Sequence, residues 1–560
     1  MPADGSADGR IPVVFCWHMH QPEYRDLATG WWTQPWTYLH AIKDYHDMAA
    51  HLEAEPQARA VVNFSPILIE QLRAYEAELA AYLERGEALT DPLLAALAAH
   101  ELPSDSQSRL WLATASLRAN RKHLVDRFPA FRLLADRATA MLLPPARGEY
   151  FSDAFLFDLV TWYHLAWLGE YTRRNDTHVQ ALLQAEHGFT HEQRRRLLEC
   201  IAGIVASLLA RYRALAEAGR IELSVTPYAH PILPLMFDFQ GARATVADAP
   251  LPKYEGYPGG RARAFWHVTR AVECFEREFG LKPVGCWPAE GGVDDATLSM
   301  LADAGFRWAA TGGGVLGNTL KRGDGGSGPY LASGGITMFA RNDELSDLIG
   351  FTYSDWHADD AVANLEHRIM ESAAAHQGEP PLIAIIMDGE NAWEYYPENG
   401  WYFLSALYRK FANHERIRLV TFSEYADGSG KPLPHVTPGS WVYGTFSTWI
   451  GDPDKNAAWD ALCEVKLAAD EVLSQPDLSA ERRSRIEHFL AICEASDWFW
   501  WFGAYNPAGP VSDFEQLFRQ QICHLYALLD RAAPPYLQKV LSHGHGDPEH
   551  GGTMRHSRDA

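Results

Sequence analysis

The sequence predicts an α/β fold in which a parallel sheet curls towards a barrel, and three observations carry that expectation. Short β-rich runs recur over the first three quarters of the chain, at 11–17, 58–64 and in runs opening at 220, 282, 306, 335, 381 and 418. Stretches with helical periodicity stand between several of them, at 263–279, 295–304, 360–375 and 399–413. Strand then helix, repeated, is the pattern of a parallel sheet. Polar motifs close many of the runs, and the C-terminal ends of strands are where a β/α barrel builds its site.

Two regions break the rhythm. Residues from about 66 to 219 read as almost continuous amphipathic helix, so they are expected as a long helical insertion from the barrel loops. From about 454 to 542 the chain is helical again, with strong periodicity in LCEVKLAADEVL and FEQLFRQQICHLYALL. The expected organisation is therefore a barrel domain over 1–430, a mainly helical region over 431–541 and a Gly- and His-rich tail over 542–560. The tail is expected to be disordered rather than a metal site.

At 560 residues, 47% of them hydrophobic, the chain can bury a large core. Its 49 basic and 72 acidic residues leave a net charge of −23 with Lys and Arg scattered, which argues against nucleic acid as a partner. The apolar run near the N-terminus is too short for a signal-peptide core and no later stretch reaches membrane-spanning length, so a cytoplasmic protein with no membrane partner is expected. The seven dispersed cysteines contain no C-x-x-C pair and are expected to be reduced. Aromatic residues are abundant, and several of the 19 Trp stand beside polar motifs rather than inside apolar runs. Sugar sites favour that mix, because a pyranose has apolar faces that stack on indoles and hydroxyl edges that need polar partners.

Two acidic motifs could perform chemistry. In GCWPAEGGV, Glu290 follows Trp287 at a strand end and precedes a Gly pair, a tight setting from which a carboxylate can approach a sugar carbon as nucleophile; it reads equally as a turn or cap residue before the next helix. In PLIAIIMDGENAWEYYP an apolar strand runs into Asp388, with Glu390 and Trp393 beyond. Burial there disfavours the ionised carboxyl and suits it to proton donation, although Asp388 could instead cap the following helix. Carboxyls from two strand ends are the minimum apparatus of glycoside hydrolysis, and a separation of about 5 to 5.5 Å corresponds to retention. CWHMHQPEY places Trp17, His18, His20 and Gln21 at the same rim, with one of the two histidines expected to face the site. His230 in TPYAHPILPL is held between prolines, with Glu222 expected to support it, and Asp355 in TYSDW is a weaker candidate of the same kind. Each histidine taken singly could be a structural hydrogen-bonding residue. Asp497, Trp498, Trp500 and Trp501 in SDWFWWFGAYN are expected to form a stacking wall.

Taken in order, these segments resemble glycoside hydrolase family 57 over nearly the whole chain. PWTYLHAIKDYHDM, NFSPILIEQL and TPYAHPILPL resemble its α-amylase and amylopullulanase-type branch. The resemblance implies an incomplete (β/α)7 barrel followed by a helical region, a retaining mechanism with no metal or other cofactor, and α-glucan substrates such as starch, glycogen or maltooligosaccharides. It assigns Glu290 as nucleophile and Asp388 as acid/base, with His20, His230, Trp287 and the DWFWW segment lining the glycone subsite. The sequence departs from the branch at Gly312 and Gly313, where an acidic pair is common, and at Ala504, Tyr505 and Asn506. A glucanotransferase is the alternative within the family. Outside it stand a metal-dependent polysaccharide deacetylase using His18, His20 and His230, and a glycan-binding protein on an inactive scaffold.

Overall fold

The structure, a computed structural model, describes residues 9–321, 328–376 and 381–557. Each of the eight β-rich runs contains a strand: β1 Ile11–Met19, β2 Ala60–Phe64, β3 Ile221–Val225, β4 Gly285–Cys286, β5 Trp308–Thr311, β7 Thr337–Ala340, β8 Ile383–Asp388 and β9 Ile417–Leu419. Two short strands, β6 Tyr330–Leu331 and β10 Lys431–Pro432, lie at one end of the sheet. The order is β10-β6-β7-β5-β4-β3-β2-β1-β8, with β9 beside the start of β1, and all pairings but β6 with β7 are parallel. Beyond the regular ladder, β7 and β8 meet through a single bridge between Arg341 and Ala384, where Ala384 O accepts from Asn342 N–H at 2.7 Å. Seven parallel strands thus curl into an incompletely closed (β/α)7 barrel.

Alternation along the strands sorts the residues into two cores. Val14, Cys16, Val61, Trp308, Ala310, Ala384 and Ile386 pack together inside the barrel, whereas Val13, Phe15, Trp17, Val62 and Ile385 face the helices. Trp308 crosses the interior so closely over β4 that a Cβ on Gly285 would lie 1.7 Å from its ring, which fixes glycine there. Its indole donates to Glu222 at 2.6 Å, and Ser423 Oγ donates to the same carboxylate at 2.5 Å. Glu222 is therefore part of the interior packing and does not support His230.

Residues 66–219 form the connection from β2 to β3, with helices from Pro66–Arg85 to His191–Glu217. The last is 27 residues long and opens on a capping box between Thr190 and Gln193. The C-terminal region carries helices Pro453–Leu473, Ala480–Cys493, Ser496–Trp501 and Ala508–Leu528. Among the described residues, no helix is long and apolar enough to cross a membrane. The tail differs from its expected disorder: residues 542–557 pack back onto the barrel, and Ser557, only 3% exposed, donates its N–H to Asp347 at 3.0 Å and accepts from Arg341 at 3.0 Å. A Gly- and His-rich composition did not foretell this, because the anchoring partners come from distant segments.

One buried ionic knot ties the C-terminal helices to the barrel. Glu494, 1% exposed at the end of helix Ala480–Cys493, accepts from Arg263 Nη2 at 2.8 Å, Tyr257 OH at 2.6 Å and His267 Nε2 at 2.7 Å. His267 Nδ1 accepts from Ala229 N–H at 3.4 Å, so the ring proton sits on Nε2. Despite burial, the Arg263 charge and the His267 hydrogen bond hold the Glu494 carboxyl down at about 2, from an ordinary 4.5. Glu494→Gln strands a buried guanidinium and should destabilise the fold by about 3 to 5 kcal/mol in urea denaturation. Because the folded value is depressed, this stabilisation is complete above about pH 4.5 and is lost as pH falls towards 2. The variant should lack that component of the acid dependence.

Candidate active site

The inward rows of the strands end in polar residues. Val14 and Cys16 are followed by His18, Val61 by Asn63, and Ala384 and Ile386 by Asp388. His18 and Asp388, with Asn63 buried behind His18, stand at a cavity of about 720 Å³ lined by His18, His20, Gln21, His230, Trp287, Glu290, Asp388, Glu390, Trp441, Asp497, Trp500 and Trp501, among others. His18 of β1 and His20, one residue past its end, both line it: residues two apart along an extended chain share a face, which overturns the expectation that only one would.

The imidazoles form a directed chain. Asn63 Oδ1 already accepts from Thr226 Oγ1 at 2.8 Å and lies 2.7 Å from His18 Nδ1, so that nitrogen carries the proton. The bare His18 Nε2 then accepts from His230 Nε2 at 3.0 Å, and His230 Nδ1 accepts from Ser496 Oγ at 2.8 Å. Burial, reinforced by the nearby His20, lowers His18 to about 3 and pushes His230 well below its ordinary value. The chain is thus neutral. His20 stacks on His230 with centroids 3.8 Å apart and bonds Asp497 at 3.0 Å and Ser65 at 2.8 Å. His20, His230 and Asp497 could supply three donor atoms to one ion. However, the two imidazole planes lie within 13° of parallel, and their in-plane lone pairs do not converge on a common point. The same geometry speaks against a His18, His20 and His230 zinc centre.

Glu290 sits in the left-handed region with φ +58°, followed by Gly291 at +60°. A Cβ on Gly291 would lie 2.8 Å from the Trp287 ring. His230 is also left-handed, with φ +63°. For non-glycine residues this costs roughly 1 to 3 kcal/mol each and is held only where surrounding contacts over-determine it. Here Trp441 N–H donates to Glu290 O at 2.9 Å and its indole to Glu290 Oε2 at 2.9 Å, while Ser496 N–H clamps His230 O at 3.0 Å. Glu290 Oε1 lies 3.9 Å from His230 Nδ1. Burial, then the charge of Asp388, raise the Glu290 carboxyl well above its ordinary value, against the Trp441 hydrogen bond. Burial likewise pushes Asp388 up to about 6, against a 2.9 Å bond from Asn391 Nδ2. Glu390, 3% exposed, is raised by burial and by Asp388; it accepts weakly from Gln21 at 3.4 Å.

Three expected site residues fall elsewhere. Asp355 points into solvent and pairs with Lys122 at 3.1 Å. Trp393 lies beneath the cavity against Trp17, donating to Gly389 O at 3.0 Å. Trp498 is fully buried among Phe514 and Phe518. On helix Ser496–Trp501 only one face meets the cavity, so Asp497, Trp500 and Trp501 reach it and Trp498 turns inward. Trp441, Asn63 and Asn391 were missed. Asn63 had the same signal as Asp388, a polar residue closing an apolar strand, whereas nothing local marks Trp441.

The departures at 312–313 and 504–506 have packing reasons. A Cβ on Gly312 would lie 2.5 Å from Trp441 Cα, and one on Gly313 would lie 2.7 Å from Arg341 O. Asn506, fully buried, donates to Trp500 O at 2.9 Å and Trp501 O at 2.8 Å, and its own O accepts from Gly546 N–H at 3.0 Å. The tail completes the wall. Gly552 O accepts from the Trp500 indole at 2.9 Å, Arg555 lies over the Trp500 ring at 4.5 Å, and His550, Gly551 and Thr553 line the cavity.

The family model of glycosyl hydrolase family 57 matches residues 14–435. The chain belongs to that family. Among solved structures, a family 57-type branching enzyme from Pyrococcus horikoshii is similar with TM-score 0.56 and 16% identity, covering 92% of this chain and 88% of that one. A branching enzyme from Thermococcus kodakaraensis gives 0.56 and 15%, covering 93% and 90%. An α-amylase from Thermotoga maritima gives 0.55 and 15%, covering 94% and 96%. At such identity these likenesses concern the fold. No curated protein sequence matches the chain.

Removing residues 547–560 should uncover Trp500 and lower activity, with Trp500 fluorescence shifting to the red. Trp498→Ala, by contrast, should lower stability by about 3 to 5 kcal/mol in denaturant titration while leaving the KM of the folded enzyme unchanged.

Proposed function

We propose that the chain is a retaining glycoside hydrolase acting on α-glucans, with Glu290 as nucleophile and Asp388 as general acid/base. The observation that carries this is the pair of carboxyls, both raised by burial, in one cavity walled by indoles. Mutual repulsion favours one shared proton over two ionised groups. The reaction needs that proton on Asp388, to protonate the leaving oxygen, and Glu290 ionised, to attack the anomeric carbon; the Trp441 indole donating to Glu290 Oε2 favours the ionised form there, against burial. The Trp441 indole holds Glu290 Oε2, and the strained backbone fixes the carboxyl's direction before substrate arrives. After the aglycone leaves, ionised Asp388 takes a proton from water, and water attack frees Glu290. His18, His20, His230 and Asp497, linked to one another, present a pre-arranged edge for the hydroxyls of the sugar bound at the nucleophile. The named activities of the structural neighbours, branching enzyme and α-amylase, agree with an α-glucan substrate. If a sugar hydroxyl rather than water reaches the intermediate, the same apparatus performs glucan transfer. A cytoplasmic location remains part of this reading.

Incubating the protein with maltoheptaose and resolving the products tests the proposal. Shorter oligomers alone indicate hydrolysis and a mixture of longer and shorter ones indicates transfer, while an active Glu290→Gln variant would overturn the nucleophile assignment. Asp388→Asn should lose at least about 100-fold on maltoheptaose yet retain turnover of substrates with good leaving groups. Because the acid must be protonated, kcat/KM should fall as pH rises through about 6. On a good leaving group, the Asp388→Asn variant should lack that alkaline limb.

A further inference from the structure

The catalytic cavity does not end at its own rim. A second depression of about 230 Å³ is lined by Trp32, Pro35, Pro92, Leu93 and Trp111, and it shares Gln34, Thr114, Arg118 and Asp513 with the catalytic cavity. The two meet at Arg118, which donates to Gln34 Oε1 at 2.6 Å and Asp513 Oδ2 at 2.8 Å and lies 4.8 Å over the Trp36 ring. Resting on the proposed α-glucan reading, we infer that this outer depression is a distal subsite, with Trp111 as stacking platform for glucosyl units of a chain that extends out of the catalytic cavity past Arg118.

Three features support it. Trp111 and Thr114 lie three residues apart on helix Ser106–Ala115, so they share one face. That face carries the indole out over the depression, where Trp111 is 45% exposed. At the edge of a cleft the apolar face of that ring suits the C–H face of a pyranose. The passage itself is polar. Arg118 and Asp513 are each about one third exposed, at 35% and 34% of their side chains, and offer fork and carboxylate groups to sugar hydroxyls. Wet, polar edges flanking an indole are the arrangement that holds an oligosaccharide. The occupant is therefore a linear glucan long enough to span both cavities, and the length requirement is specific to this extension.

The test compares kcat/KM on amylose with kcat/KM on maltotriose for wild type, Trp111→Ala and Trp31→Ala. Trp31, 54% exposed, lines neither cavity and serves as the control. Loss of the platform should lower the amylose value about tenfold, mainly through KM, as expected for a lost ring contact. The maltotriose value should fall far less, and Trp31→Ala should match wild type on both. An active wild type whose amylose-to-maltotriose preference is unchanged by Trp111→Ala overturns the distal subsite and leaves the α-glucan reading standing. Equal loss in Trp111→Ala and Trp31→Ala would assign the effect to general surface adsorption and also overturn it. A wild type inert on both glucans overturns the functional reading and this inference with it.

Discussion

Glu494 carries a full negative charge into a region from which water is excluded, and the site depends on how that charge is satisfied. Its partners Tyr257, Arg263 and His267 all come from the barrel side, between β3 and β4. Separating the C-terminal helices from the barrel would leave buried charges of both signs without partners, which is the expensive outcome for any ionic pair of this kind. Two residues further on, Ser496 holds His230 by backbone and hydroxyl, and Asp497 meets His20. The knot therefore sets the position of a helix that supplies half of the polar edge of the cavity, and a contact made for stability becomes a determinant of geometry.

The barrel supplies the other half by a simple periodic rule. The inward rows of β1, β2 and β8 are apolar at their lower positions and polar at their last, so that His18, Asn63 and Asp388 project from strands whose earlier residues fill the interior. Packing below and chemistry above share one periodicity. The rigid interior, with Trp308 lying across Gly285 and Glu222 hydrogen-bonded beside it, leaves the rim little freedom. That rigidity is what allows Glu290 and His230 to stay in left-handed conformations that an unsupported backbone would leave.

What could be read in the sequence follows from the range of each signal. Strands, their parallel order and the residues closing them are local patterns, so β1 to β5 and β7 to β9 were legible, as were Glu290, Asp388 and His230 as members of one rim. That His18 and His20 share a face was also available from period two, and the expectation that only one of them faces the site misapplied it. Trp393 and Trp498 were misplaced because aromatic motifs show where rings lie in the chain but not which way a short helix turns them. Asp355 stands in an equally polar motif, yet it closes a short helix in the connection from β7 to β8 and turns to solvent. The tail was misread because composition reports local tendency. Its anchors, Arg341, Asp347 and Asn506, lie up to some two hundred residues away.

The glycines at 312 and 313 tie the packing of the Trp441 loop to the orientation of Glu290. A side chain at 312 would collide with the backbone of Trp441, so the glycine and the tryptophan form one device. Trp441 in turn donates to both the backbone and the carboxylate of Glu290, and it lies 5.2 Å from Arg341, which also holds Ser557 of the tail. An acidic residue at 312 would have to displace the Trp441 loop, and with it the donor on Glu290 and the seat of the tail. A side chain at that position is therefore not a local change of lining. It would alter the hydrogen bond on the Glu290 carboxylate and the seat of the tail together.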